Sequence, residues 1–83
     1  MWKEENNTLY RSFTFVDFSE AFAFMVRVAL LAEQHNHHPT WNNTWNKVGI
    51  WLSTHDAGNT ITEKDRKLAR DIDNLLPPSS SAQ

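Results

Sequence analysis

From Leu9 to Phe15 the side chains alternate, with Leu9, Arg11, Phe13 and Phe15 on one face and Tyr10, Ser12 and Thr14 on the other. That is the two-residue period of a strand. Trp2 to Glu5 pairs with it as a hairpin, because Asn6-Asn7-Thr8 between them supplies residues that tolerate positive φ. Asp17-Phe18-Ser19-Glu20 then opens a helix as a capping box, in which Asp17 accepts from the third helical N–H and Glu20 reaches back to the cap. Phe18, Phe22, Met25, Ala29 and Ala32 recur at three- and four-residue spacing, which predicts an apolar stripe running to about Gln34, flanked by Ala21, Val26, Val28 and Leu30. Asn36 suits the left-handed position after a helix and Pro39 forbids continuation, so His35 to Pro39 lead out of it.

Alternation returns from Trp45 to Thr54, with Val48, Ile50 and Leu52 on one face and Lys47, Gly49, Trp51 and Ser53 on the other. Trp41 to Trp45 reads as a short strand before it, turning near Asn46. Asp56-Ala57-Gly58-Asn59 is loop chemistry. Thr62 and Asp65 repeat the capping spacing, and Leu68, Ala69, Ile72 and Leu75 or Leu76 supply a second helical face over about Glu63 to Leu75. Pro77-Pro78 ends it, and Ser79 to Gln83 is a polar, frayed tail. The order is strand, strand, helix, strand, strand, helix. The economical packing is an α+β fold, a four-stranded antiparallel sheet with both helices on one face, because Phe13, Phe15, Val48, Ile50 and Leu52 need a cover. Tyr10 and Trp51 then fall on the opposite face, where exposed aromatics would favour self-association through that face or the sheet edge.

Length and composition narrow the functions available. Eighty-three residues make one domain, over residues 1–76 with 77–83 as tail, and its core is thin enough that oligomerisation would add useful burial. The absence of cysteine removes disulfides, thiolate metal sites and thiol nucleophiles together. A net charge of -2 with scattered Lys and Arg offers no footprint for phosphates, so nucleic acid is not an expected direct partner. The start has no signal layout, and the longest apolar stretch is cut by Arg27, short of the about 18 residues a membrane span requires. A cytoplasmic protein without membrane contact is expected.

Three of the four histidines fall in His35-Asn36-His37-His38, and the fourth, His55, follows the clearest strand. Imidazole is the side chain that gives or takes a proton near neutral pH, so histidines clustered on loops suggest acid–base chemistry. Each could equally be a polar loop residue bonded to a backbone carbonyl. Imidazoles with Glu33 or Asp56 also match a zinc donor set, but the adjacent His37 and His38 diverge and are poorly arranged for one ion. Glu33 lies four residues before His37, where its carboxylate would sit beside that ring if the last helical turn holds. Asp65 is explained by capping. Trp41 could wall a flat heteroaromatic ligand or simply pack. With no phosphate loop, nucleophile arrangement or paired carboxylates present, the chemistry left is proton transfer.

These residues resemble a known family. Glu33-x-x-x-His37-His38-Pro39, Trp41, Asn46-Lys47-Val48-x-Ile50-x-Leu52-Ser53-Thr54-His55-Asp56-Ala57-Gly58 and Thr62-Glu63-Lys64-Asp65 with Leu68-Ala69 look like the pterin-4a-carbinolamine dehydratases. Phe13-x-Phe15-x-x-Phe18-x-Glu20-Ala21-x-x-Phe24 fits the same pattern, and the likeness runs from Trp2 to Leu76. The resemblance implies the four-stranded α+β fold, a homodimer or homotetramer, and dehydration of a 4a-hydroxytetrahydropterin to the quinonoid dihydropterin without metal or cofactor. By motif it puts His37, His38 and His55 on the catalytic histidines, and Pro39 and Thr54 to Ala57, Asp56 included, on the pterin contacts. Glu33 falls on the motif acid. It also implies a rival role, since some members serve as dimerisation cofactors of transcription factors. The sequence departs from the pattern in three places. Trp2 already matches the start of the first strand, so the usual preceding helix has no counterpart here and a dimer is favoured over a tetramer. The loop from His55 to Asp65 is one residue longer than in many members, and Gly49 and Trp51 stand where other side chains are usual.

Overall fold

The computed structural model describes residues 1–77; the polar tail expected beyond Pro77 lies outside the described residues. The elements are β1 (Lys3–Glu5), β2 (Thr8–Thr14), α1 (Phe18–His35), β3 (Thr40–Thr44), β4 (Lys47–Leu52) and α2 (Glu63–Asp73), with a 3-10 turn at His55–Ala57. They form an antiparallel sheet of order β1-β2-β4-β3. The two hairpins join at its centre, where Leu9 faces Leu52, Arg11 faces Ile50 and Phe13 faces Val48. The inward side chains of β2 and β4 are therefore the most enclosed, and Phe13, Val48, Ile50 and Leu52 are buried beneath both helices.

Local chemistry sets most of the boundaries. Asn6 and Asn7 both take positive φ, 50° and 62°, as a two-residue hairpin turn requires. Asp17 caps α1 by accepting from Glu20 N–H at 2.9 Å, while the Glu20 carboxylate reaches Val16 N–H, one residue before the cap. At the other end Asn36 is left-handed with φ 49°, as expected. Thr62 and Asp65 make a complete capping box for α2, which stops at Asp73, two residues short of expectation. The strand expected from Trp45 begins only at Lys47. Trp45 instead occupies the β3–β4 turn with φ 50°, and Asn46 clips that turn to Phe15 by a side-chain N–H to carbonyl bond of 2.8 Å.

The buried face of α1 differs from the expected stripe. Ala21, Phe24, Val28 and Ala32 face the sheet, whereas Phe18, Phe22, Val26, Ala29 and Leu30 are exposed. At 100° per residue, Glu20, Arg27 and Gln34 make one polar line, and an apolar face lies on each side of it. Helical spacing alone fits both faces. The sheet selects the one whose Ala21 and Ala32 permit close approach and whose Phe24 packs on Phe13 and Phe15, with ring centroids 4.8 and 4.9 Å apart. On the outer sheet face, Tyr10 and Trp51 are half-buried against one another, 4.7 Å between centroids. Gly49 and Trp51 belong together, because a Cβ at 49 would lie 2.8 Å from Asn42 Oδ1 and 3.2 Å from the Trp51 ring.

One buried charged group sits on the core side of the sheet. Arg11 is 7% exposed and packs over the Phe13 ring at 4.7 Å. Its Nη1 donates to Asp73 Oδ1 at 2.7 Å, and Trp2 Nε1 donates to the same oxygen at 2.8 Å. The end of α2 is thereby tied to β2 and to the chain entering β1. Removing one partner of a buried pair strands the other charge, whereas removing both with apolar replacement costs much less. Asp73→Ala is therefore expected to lower unfolding free energy by about 2–3 kcal/mol, below the buried-pair range because Asp73 is partly exposed. Adding Arg11→Met should recover at least half of the loss in urea denaturation.

Candidate active site

Three chain segments meet at one end of the sheet. At the exit of α1 the Asn36 N–H bonds to Glu33 O at 3.1 Å and the His37 N–H to Ala32 O at 3.0 Å, which turns His37 and His38 away from the helix axis. Beyond β4, Thr54 pairs with Thr60 through an N–H to carbonyl bond of 2.8 Å, looping out the 3-10 turn that carries His55. Gly58 closes that turn at φ 84°, a conformation that favours glycine. The third segment is the first turn of α2.

Asp65 joins all three. It is fully buried, and its Oδ2 accepts from Thr62 N–H and from the Thr54 hydroxyl, each at 2.8 Å. Its Oδ1 faces His37 Nε2 at 2.5 Å. With Thr54 donating to Asp65, the 2.6 Å contact between the two threonine hydroxyls takes its hydrogen from Thr62, whose oxygen in turn accepts Lys64 N–H at 3.3 Å. Every donor in this network has an acceptor, as a buried polar cluster requires.

A carboxylate can only accept, so the shared hydrogen in the His37–Asp65 contact belongs to Nε2, and Nδ1 is left free. His38 Nε2 meets Glu33 Oε1 at 2.6 Å and likewise keeps Nδ1 free. His55 uses the opposite nitrogen, Nδ1, toward Asn59 Oδ1 at 3.0 Å, leaving Nε2. All three imidazoles line one cleft of about 290 Å³, together with Asn36, Ser53, Thr54, Asp56 and Lys64. Among the described residues no three His, Cys, Asp or Glu side chains are grouped to hold a metal ion.

The structure brings His37, His38, His55, Thr54 and Asp56 together, and places Glu33 behind His38. Glu33 does not sit beside His37 as the helical spacing suggested, because the left-handed Asn36 rotates the chain and delivers His38 to that carboxylate instead. Pro39, Trp41 and Ala57 are not among the residues lining the cleft. Trp41 borders a separate open hollow with Thr8, Thr40, Asn42 and Trp51. Asp65 is the residue that capping logic explained too completely. A capping box occupies one carboxylate oxygen, and at a buried Asp the other oxygen must also find a donor. Nitrogen-15 chemical shifts should show the neutral His37 ring as the Nε2–H tautomer, with the Nδ1–H form appearing in Asp65→Asn.

Comparison with known proteins follows the same outline. The family model for pterin 4 alpha carbinolamine dehydratase matches residues 1–75. A protein of Rhizorhabdus wittichii, named provisionally as a pterin-4-alpha-carbinolamine dehydratase, is 53% identical over 74 residues, covering 89% of this chain and 75% of its own length. One of the same provisional name from a Synechococcus species is 55% identical over 74 residues, covering 89% and 78%. Among solved structures, a transcriptional coactivator/pterin dehydratase from Brucella melitensis superposes with a TM-score of 0.86 at 42% identity, over 92% of this chain and 82% of that one. A pterin dehydratase-like protein identified as a RuBisCO assembly factor in the alpha-carboxysome gives 0.73 at 26% identity, over 90% and 86%.

Proposed function

The chain belongs to the pterin 4 alpha carbinolamine dehydratase family, and from that membership we propose that it dehydrates a 4a-hydroxytetrahydropterin to the quinonoid dihydropterin by histidine acid–base catalysis. The observation that carries the reading is that His37 and His55 line one cleft, each with one ring nitrogen engaged and the other free. Loss of water from the carbinolamine needs a proton delivered to the leaving hydroxyl and one removed from the ring nitrogen. Two imidazoles with opposite free nitrogens suit that exchange. His37 and His55 serve as proton donor and acceptor, and His38, backed by Glu33, holds the pterin. The resemblance adds Pro39, Trp41 and the segment from Thr54 to Ala57 as further pterin contacts, of which Thr54 and Asp56 line the cleft. The reaction is a hydro-lyase step in the cytoplasm and requires neither metal nor cofactor.

His37→Ala and His55→Ala are each expected to lower the enzymatic rate, measured above the spontaneous dehydration, on the order of 10²-fold. Chelators should leave the rate intact. Zinc-dependent rescue of a chelated sample would overturn metal independence.

A second reading is a non-catalytic interaction module, favoured by the coactivator and assembly-factor roles in the names of the two solved relatives. No rate above spontaneous dehydration in the unaltered protein, and hence no difference in either histidine variant, would select it.

For the oligomer, exposure on α1 supports self-association through that helix rather than through the sheet face or edge. Phe18, Phe22, Val26 and Leu30 are exposed along one line, with Phe18 stacked on Phe22 at 5.8 Å. A helix apolar on two faces belongs between two layers, here the chain's own sheet and α1 of a second copy. Light scattering should show a dimer or larger homo-oligomer, and Phe22→Glu should reduce it to monomer with the far-ultraviolet dichroism preserved.

A further inference from the structure

We infer that the pterin this site takes carries an anionic substituent, a phosphate or a carboxylate, which lies in a second hollow beside the histidine cleft. The inference rests on the pterin reading above. The histidine cleft, at about 290 Å³, is at the lower end of the range for small-molecule sites. A substituent on a bicyclic ring bound there must extend out of it. A larger hollow of about 490 Å³ adjoins, and His37 and Lys64 are wall residues of both. Anything on the ring that passes between those two side chains enters a space lined by Gln34, His35, Lys67 and Asp71.

The chemistry of that lining selects the substituent. Lys64 and Lys67 lie three residues apart on one face of α2, so their ammonium groups bracket the hollow. Neither is within ion-pair distance of any carboxylate among the described residues. The one carboxylate in the lining, Asp71, is engaged by His35 Nε2 at 2.7 Å, and His35 is itself largely buried. Gln34 adds an amide donor at the rim. Two ammonium groups outnumber the single carboxylate of this lining, whose Oδ2 His35 already engages, so the hollow repels a cation and offers little to an apolar tail. A neutral hydroxylated tail would gain hydrogen bonds there but not the charge-assisted ones.

Fluorescence titration with stable 7,8-dihydropterins tests this directly. Three ligands share the ring and differ in the tail: a neutral dihydroxypropyl group, the same group as a phosphomonoester, and a tail ending in a carboxylate. At low salt at least one anionic tail should bind about tenfold tighter than the neutral one, the value of one charge-assisted contact. The larger gain identifies phosphate or carboxylate as the natural group. Lys67→Glu should abolish the advantage and Lys67→Gln should reduce it, each read against the neutral tail in the same variant, and about 0.5 M salt should shrink it by screening. Equal affinities for all three tails in the unaltered protein, or an advantage that survives Lys67→Glu, would overturn the inference. If the neutral ligand binds and the carbinolamine turns over without any anionic advantage, the substituent fails and the dehydratase reading stands. If none of the three ligands binds, both fall.

Discussion

A carboxylate with no access to water holds this molecule's working end together. Burying Asp65 unpaired would cost several kcal/mol, and the structure meets that cost with donors from three segments: His37 after α1, Thr54 after β4, and Thr62 before α2. None of these segments is otherwise regular where it contributes. Their mutual placement follows from sharing one acceptor, so folding the chain and assembling the cleft are the same event. A carboxamide would keep the shape at position 65 but could not accept equally on both sides, which is why an Asp rather than an Asn is required there.

The same device recurs along α2. Only Leu68, Ala69 and Ile72 give this helix a buried apolar face, which is little for eleven residues. Its aspartates supplement that contact. Asp65 meets His37, Asp71 meets His35, and Asp73 meets Arg11 and Trp2. Two of the partners lie at the exit of α1 and the others on β2 and before β1, so the pairs hold both ends of α2 where a short apolar stripe would leave its rotation and tilt loose. In a chain this small, directional polar contacts supply specificity that a thin core cannot. The protein fold is correspondingly sensitive at these positions, because each pair leaves a buried or half-buried charge if broken.

What the sequence disclosed divides along the range of the interactions. Asn6-Asn7, the Asp17 cap, left-handed Asn36 and the Thr62 box were legible because each is decided within a few residues by φ preference or a side-chain oxygen. The two alternating runs revealed the central strands and hence the layered architecture. The working face of α1 was not legible, since Phe18, Phe22, Val26 and Leu30 obey helical spacing as well as Ala21, Phe24, Val28 and Ala32 do, and only the sheet breaks the tie. Trp45 fits the alternation of the strand that follows it, and nothing in an aromatic side chain announces its positive φ. The partners of the histidines were hidden for a related reason. Glu33 and His37 are near in sequence, but a left-handed residue between them redirects the ring to an aspartate twenty-eight positions away.

The cleft's three imidazoles are held with unequal firmness, and that inequality has a mechanistic consequence. His37 is 11% exposed and bound to a carboxylate with no exposure, so its ring has one orientation and its free nitrogen one direction. His38 is 56% exposed and bound to a Glu33 carboxylate that is 77% exposed, where water competes for both partners. His55 depends on an exposed amide oxygen in its own turn. A proton transferred at a fixed atom needs a fixed donor or acceptor, whereas a substrate that must enter and leave needs walls that can yield. In the proposed reaction the buried Asp65 meets the first requirement at His37 and the exposed Glu33 the second at His38. His37 is thereby the one imidazole of the cleft whose direction is set by a buried partner, and on the proposed function it is the fixed end of the proton exchange that His55 completes.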